Sequence, residues 1–185
     1  MKAIYFVTNN TGKVKEAKAL CEEHDIKIQQ IRYEYPELQS DDLETIAKYG
    51  AEFSARALNK TVIVEDAGLF IPALGGFPGP YSAYVFKTIG NEGILGLMSD
   101  KKNREAYFES AVGYCEPGGG AITFTGIANG KIAHEIRGEH GFGYDPIFLY
   151  DDKTFGELSI EEKNKVSHRC KALKKFVKWI SAKDI

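Results

Sequence analysis

Ala3-Ile4-Tyr5-Phe6-Val7-Thr8-Asn9-Asn10-Thr11-Gly12-Lys13 decides how the rest of the chain is read. Residues 3–7 are apolar and β-prone, as a buried strand requires. Thr8 to Lys13 is polar and turn-rich, and beyond it Val14, Ala17, Leu20 and Cys21 recur at helical spacing. The chain therefore opens as strand, polar loop, helix. Working outward, residues 26–31 read as a second strand and residues 32–42 as a loop. Leu43–Leu58 reads as a helix with an apolar stripe through Leu43, Ile46, Ala47, Gly50, Ala51, Ala57 and Leu58. Residues 61–64 form a short apolar strand that ends at Glu65-Asp66. The order βαβαβ predicts an α/β core with parallel strands.

The middle of the chain changes character. Gly75-Gly76-Phe77-Pro78-Gly79-Pro80 is a breaker-rich loop, and residues 81–99 look helical in one or two pieces. Two long β-prone runs, residues 104–115 and 121–134, flank Pro117-Gly118-Gly119-Gly120, which signals a hairpin. Antiparallel strands therefore join the sheet, and residues 159–183 close the chain as helix. The expected architecture is α/β: a two-lobed mixed β-sheet flanked by helices, with a central cleft, in one domain spanning residues 1–185.

Composition narrows the function. Of 185 residues, 43% are hydrophobic, enough for a real core. The net charge of −2 gives no basic balance for a nucleic-acid binder. Cys21, Cys115 and Cys170 are far apart and odd in number, so they suggest neither a metal site nor a disulfide framework. The apolar stretch near the N-terminus is too short for a signal peptide or a membrane span. A reducing cytoplasm is the expected location.

Several segments offer chemistry beside a plainer reading. The loop at Thr8 to Lys13 precedes a helix N-terminus, where free N–H groups and the helix dipole favour a phosphate. Equally, it is a capped helix with a solvated lysine. It is not a Walker A loop. Glu65-Asp66 at a strand end suits a magnesium ion or an activated water, since ligand crevices lie outside the carboxyl ends of parallel strands. A turn aspartate is the alternative. Lys48 follows Glu44 at helical pair spacing and reads as a surface pair. Gly141-Phe142-Gly143-Tyr144-Asp145-Pro146 sets aromatic rings and a carboxylate in a flexible turn, fit to stack on a purine or to fill a core. Lys163 and Ser167-His168-Arg169 gather cations near the last helices. Lys171, Lys174, Lys175 and Lys178 lie opposite Leu173, Phe176, Val177 and Ile180 and read as a solvated face.

The ordered set is more specific than its members. Thr8-x-Asn10-x-x-Lys13, Pro36-Glu37, Lys48, Val64-Glu65-Asp66, Gly75-Gly76-Phe77-Pro78-Gly79-Pro80-Tyr81, Phe142-Gly143-Tyr144-Asp145-Pro146, Glu162-Lys163-Asn164 and Ser167-His168-Arg169 together resemble the inosine triphosphate pyrophosphatase family, in its shorter archaeal form. The resemblance runs from about residue 3 to residue 180. It implies a deep nucleotide cleft, a homodimer, a magnesium requirement and hydrolysis of ITP, dITP and XTP between the α and β phosphates. By matching position, the loop Thr8, Asn9, Asn10, Thr11, Gly12 and Lys13 would bind the triphosphate, and Lys48 would meet phosphate. Glu37 and Asp66 would hold magnesium, with Asp66 also the water-activating base. Ala67 would touch substrate, where other members carry a small or hydroxyl residue. Phe142, Gly143, Tyr144 and Asp145 would clasp the base, Tyr144 standing where many members have tryptophan. Lys163, His168 and Arg169 would close the site and read the purine edge. The alternative is a non-catalytic purine nucleotide-binding sensor, against which both Glu37 and Asp66 count.

Overall fold

The computed structural model describes residues 3–183. Its elements keep the predicted order and add three short strands, β4, β7 and β8, that the pattern did not show: β1 (Ile4–Val7), α1 (Thr11–Glu22), β2 (Ile28–Ile31), α2 (Leu43–Leu58), β3 (Val62–Phe70), β4 (Pro78–Gly79), α3 (Ser82–Leu97), β5 (Glu105–Cys115), β6 (Ile122–Ile132), β7 (Phe148–Tyr150), β8 (Lys153–Thr154), α4 (Ile160–Val166) and α5 (His168–Lys183). The eight strands make one mixed sheet in the order β2-β1-β3-β5-β6-β7-β8, with β4 also paired to β3. β1 runs parallel to β2 and β3, as the opening pattern requires. β5 and β6 form the expected antiparallel hairpin. α3 is two helical pieces, broken at Gly90, whose φ is +64°.

The third strand departs from expectation. Two acids in succession look like a strand end, yet β3 continues through Glu65 and Asp66 to Phe70, paired residue by residue with β5 from Val62↔Cys115 to Phe70↔Tyr107. Long-range pairing overrides the local signal, and ion pairs described below compensate the buried acid. The pairs joining β3 to β1 are Tyr5↔Val62 and Phe6↔Ile63, so β3 runs on past the end of β1. The sheet opens on that side, and the loop after β1 and the acids of β3 share the opening. The second strand begins at Ile28 rather than Ile26. On α2 the buried face passes through Ser54 and Ala55, while Ala57 is exposed.

Strand alternation sets which acid faces which helix. Val112 and Tyr114 of β5 pack with Phe6, Leu173 and Phe176 on the face covered by α1 and α5. Ala111 packs with Leu43 and Ala47 under α2, on the opposite face. Glu65 pairs with Val112 and Asp66 with Ala111. The two neighbours on β3 therefore turn to opposite faces of the sheet. A separate core, including Leu69, Val85, Ile94, Phe108, Ile132, Phe148 and Phe155, fills the second lobe.

Both helical layers lie hard against the sheet. A Cβ at Gly113 would come 2.5 Å from the Ala47 carbonyl oxygen, and one at Gly126 would come 2.2 Å from that of His168. Backbone cannot yield as a side-chain tip can. Gly126→Ala should lift the start of α5 from the sheet and cost about 1–3 kcal/mol or more. Urea denaturation checks it; an unchanged midpoint would show that α5 is not seated there. No helix among the described residues is long and apolar enough to cross a membrane.

Candidate active site

Two connected cavities open between the lobes. The larger, about 1010 Å³, is a cleft walled by the loop after β1, the loop before α2, the acids of β3 and the first turns of α3. The smaller, about 310 Å³, reaches inward to Phe108, Tyr144, His168 and Arg169. Asn10, Lys13, Asp66, Ala83 and Lys87 line both, at the junction.

The loop after β1 serves as cap and as wall at once. Asn10 Oδ1 accepts from the backbone N–H groups of Gly12 at 2.9 Å and Lys13 at 3.2 Å, which caps α1. Thr8 Oγ1 accepts from the Asn10 N–H at 3.1 Å. Thr8, Asn9, Asn10 and Lys13 line the cleft, while Thr11 and Gly12 lie outside its lining in the first turn of α1. A Cβ at Gly12 would meet the Phe142 ring at 2.6 Å, so the aromatic turn rests on the start of α1.

Beneath the junction lies a buried ionic network of three acids and three cations. Lys163 Nζ stands 2.8 Å from Glu16 Oε1 and 2.6 Å from Asp145 Oδ2. Arg169 Nη1 donates to Glu16, and its Nε donates to Glu65 Oε1 at 3.0 Å. Lys13 Nζ is 2.7 Å from Glu65 Oε2 and donates to the Glu65 carbonyl at 3.0 Å. Ser110 Oγ donates to Glu65 Oε1 at 2.6 Å. Burial alone would raise the Glu65 carboxyl, but Arg169 and Lys13 hold it well below the usual carboxylate range. Glu16 is likewise lowered, burial being outweighed by Arg169 and Lys163. At Asp145 burial prevails over Lys163 and pushes the carboxyl up.

Asp66 stands apart from this network. It is half-buried, its Oδ1 accepts the Ala67 N–H at 3.0 Å, and it faces both cavities. Burial pushes its carboxyl up to about 6; Lys13 opposes this, while Glu65 and Glu37 add to it. Glu37, in the exposed loop before α2, lines the same cleft. Burial, then the charges of Asp66, Glu37 and Glu65, raise the Tyr35 phenol above its ordinary range. Hard carboxylate oxygens on a cleft large enough for phosphates are the donors that magnesium prefers. No three His, Cys, Asp or Glu among the described residues stand close enough to hold a metal by themselves. An ion held by Glu37 and Asp66 would need its remaining ligands from outside the described residues.

The inner chamber is aromatic on one side and ionic on the other. Lys163 Nζ and the Arg169 guanidinium lie over the Phe142 ring, 4.9 and 5.2 Å from its centroid. Tyr144 is buried, edge-on to Phe86 at 5.3 Å, and its hydroxyl donates to the Ser82 carbonyl at 3.0 Å. Of the two aromatics, Phe142 offers the more open ring. Asp145 Oδ2 accepts from the Phe142 N–H at 2.8 Å and from Lys163, so this carboxylate shapes the turn from below. His168 stacks on Phe108 at 4.5 Å, and its Nδ1 has no hydrogen-bond partner among the described residues. Burial lowers its imidazole well below the ordinary range, so it is neutral.

The structure thus gathers Thr8, Asn9, Asn10, Lys13, Glu37, Asp66, Ala67, Phe142, Gly143, Tyr144, Asp145, Lys163, His168 and Arg169 around the paired cavities. Lys48 is exposed on α2 and outside the lining of both; it forms no ion pair with Glu44 among the described residues, and Glu44 Oε2 instead accepts from Thr123 Oγ1 at 2.8 Å. The aromatic stretch from Tyr81 to Phe86 supplies cavity walls: Tyr81 and Tyr84 to the cleft, Phe86 to the chamber. Sequence reading missed Glu16 and Lys87. Glu16 carried a signal, an acid between Val14 and Ala17 on the buried face of α1.

A model of the Ham1 family matches residues 4–179. A dITP/XTP pyrophosphatase of Methanopyrus kandleri is 59% identical over 178 residues, 95% of each chain. One from Methanosarcina mazei is 52% identical over 179 residues, 97% of each. Among solved structures, the Ham1 protein of Staphylococcus aureus superposes with a TM-score of 0.85 at 34% identity, covering 98% of this chain and 100% of that one. A HAM1 protein from Coxiella burnetii gives 0.86 at 28% identity with the same coverage.

Proposed function

The chain belongs to the Ham1 family, and from that premise we propose that it hydrolyses the non-standard purine nucleoside triphosphates ITP, dITP and XTP to monophosphate and pyrophosphate. The observation that carries the reading is Asp66, a half-buried carboxylate at the junction of an aromatic chamber and a wide polar cleft. The purine enters the chamber against Phe142, and the triphosphate lies along Thr8, Asn9, Asn10 and Lys13. Water attacks the α-phosphorus while Asp66 takes its proton. The bond to the bridging oxygen breaks and pyrophosphate leaves. A carboxyl near 6 is basic enough to accept that proton and ionised at neutral pH. Glu37 and Asp66 would hold magnesium, which when bound neutralises phosphate charge and orients the chain for attack.

Selectivity follows from donors facing acceptors. Arg169 commits Nε and Nη1 to Glu65 and Glu16, leaving Nη2 for the 6-oxo group of hypoxanthine or xanthine. The 6-amino group of adenine would leave that donor unpaired, a cost of about 1–3 kcal/mol. Assayed in parallel, ITP, dITP and XTP should turn over at least about tenfold faster than ATP at subsaturating concentration. Equal rates would reject Arg169 as the discriminator, and bound but unaltered nucleotide would favour a sensor.

The free, buried Cys21, Cys115 and Cys170 support a reducing, cytoplasmic setting. The family resemblance supports a homodimer, which sedimentation would decide.

A further inference from the structure

Among the described residues, four cations line the two cavities: Lys13, Lys87, Lys163 and Arg169. Three are already neutralised. Lys13 is held by Glu65, Lys163 by Glu16 and Asp145, and Arg169 by Glu16 and Glu65. Lys87 has no such carboxylate partner among the described residues. It projects from α3 of the second lobe, is exposed, and belongs to the junction shared by chamber and cleft. The cleft itself is rich in acid, with Glu34, Glu37, Glu65 and Asp66 in its walls. A triphosphate entering it meets one cation tied down by Glu65 and one that is free.

We infer that Lys87 is a substrate-binding residue whose ammonium contacts the α-phosphate, the reacting group, where the base chamber meets the phosphate cleft. The inference rests on the pyrophosphatase reading for the orientation of the substrate. With the base inside and the β and γ phosphates outside, the junction is where ribose and α-phosphate must lie. Because Lys87 stands on α3 and Lys13 on α1, the pair grips the substrate from both lobes.

The test compares wild type with Lys87→Met, Lys87→Arg and the control Lys175→Met, which removes the same charge from the solvated face of α5. With XTP as substrate, Lys87→Met should lower kcat/KM roughly tenfold to a hundredfold, as loss of a charge-assisted hydrogen bond does. XMP should weaken as an inhibitor in proportion, and pyrophosphate should inhibit as before. Lys87→Arg should keep most of the activity, Lys175→Met all of it, and melting temperatures should not move. The inference is overturned if Lys87→Met matches wild type, if Lys175→Met falls as far, or if pyrophosphate inhibition weakens while XMP inhibition does not. A wild type that releases no pyrophosphate from XTP sinks the pyrophosphatase reading instead. Calorimetric titration of XTP on wild type and Lys87→Met still decides the contact in that case, equal affinities overturning it.

Discussion

Asp66→Asn lowers turnover of XTP by about 10²–10⁴-fold, while XTP still binds. The substitution keeps the shape of the side chain and the oxygen that accepts the Ala67 N–H. It removes the charge and the proton acceptor. Asp66 is the carboxylate suited to the task because it lies outside the ionic network. Glu65, one residue before, turns to the opposite face of the sheet and is engaged by Arg169, Lys13 and Ser110. A carboxyl held well below the usual range is a poor base. Asp66, raised to about 6, is a competent one near neutral pH. Single-turnover kinetics with calorimetry separate the two effects. Near-wild-type turnover would remove Asp66 from the reaction, and loss of binding alone would reassign it to substrate holding.

Glu16→Ala destabilises the fold by about 3–5 kcal/mol, the usual consequence of leaving buried charges without their partner. Glu16 serves two cations at once, Lys163 through Oε1 and Arg169 through Oε2. Without it, both remain buried with only Asp145 and Glu65 to offset them. Urea denaturation at neutral pH measures the cost. The sign of the acid dependence is also set. A carboxyl lowered from its ordinary 4.5 in the folded state contributes stability that is present above that value. The contribution is lost as pH falls through the lowered one. Wild type should therefore weaken in acid more steeply than Glu16→Ala. A variant as stable as wild type, with the same acid slope, would show that the network contributes nothing through this residue.

The legible part of the fold was the part governed by local pattern. Strand β1, the polar loop and helix α1 follow from one apolar run and one capping loop, and α2 was bounded to the residue. The glycine-rich hairpin was equally plain, whereas the pattern of residues 81–99 allows one helix or two, and only the structure shows the break at Gly90. What local pattern could not convey was the length of β3. Its acids suggest an end, and only the distant partner strand β5 shows that they are interior. The site divides the same way. Motif order collected Asn10, Lys13, Glu37, Asp66, Phe142 and Arg169 at the cavities, but neither Lys87 nor Phe108, nor the assignment of charge among them. Asp145 and Lys163 satisfy each other below the chamber, and Tyr144 is fastened to Ser82. Glu16 pairs with residues 147 and 153 positions away along the chain, a relation no helical spacing can express. Lys87 looks like one more exposed lysine until the cavities are drawn around it.

Attack at the α-phosphorus with Asp66 as base leaves an isotopic signature in the products. Hydrolysis of XTP in ¹⁸O-labelled water reads that signature. Attack at the α-phosphorus places the label in XMP and leaves pyrophosphate unlabelled, and Asp66→Asn gives no such products over the same interval. Label in pyrophosphate, or XDP and inorganic phosphate as products, would contradict it.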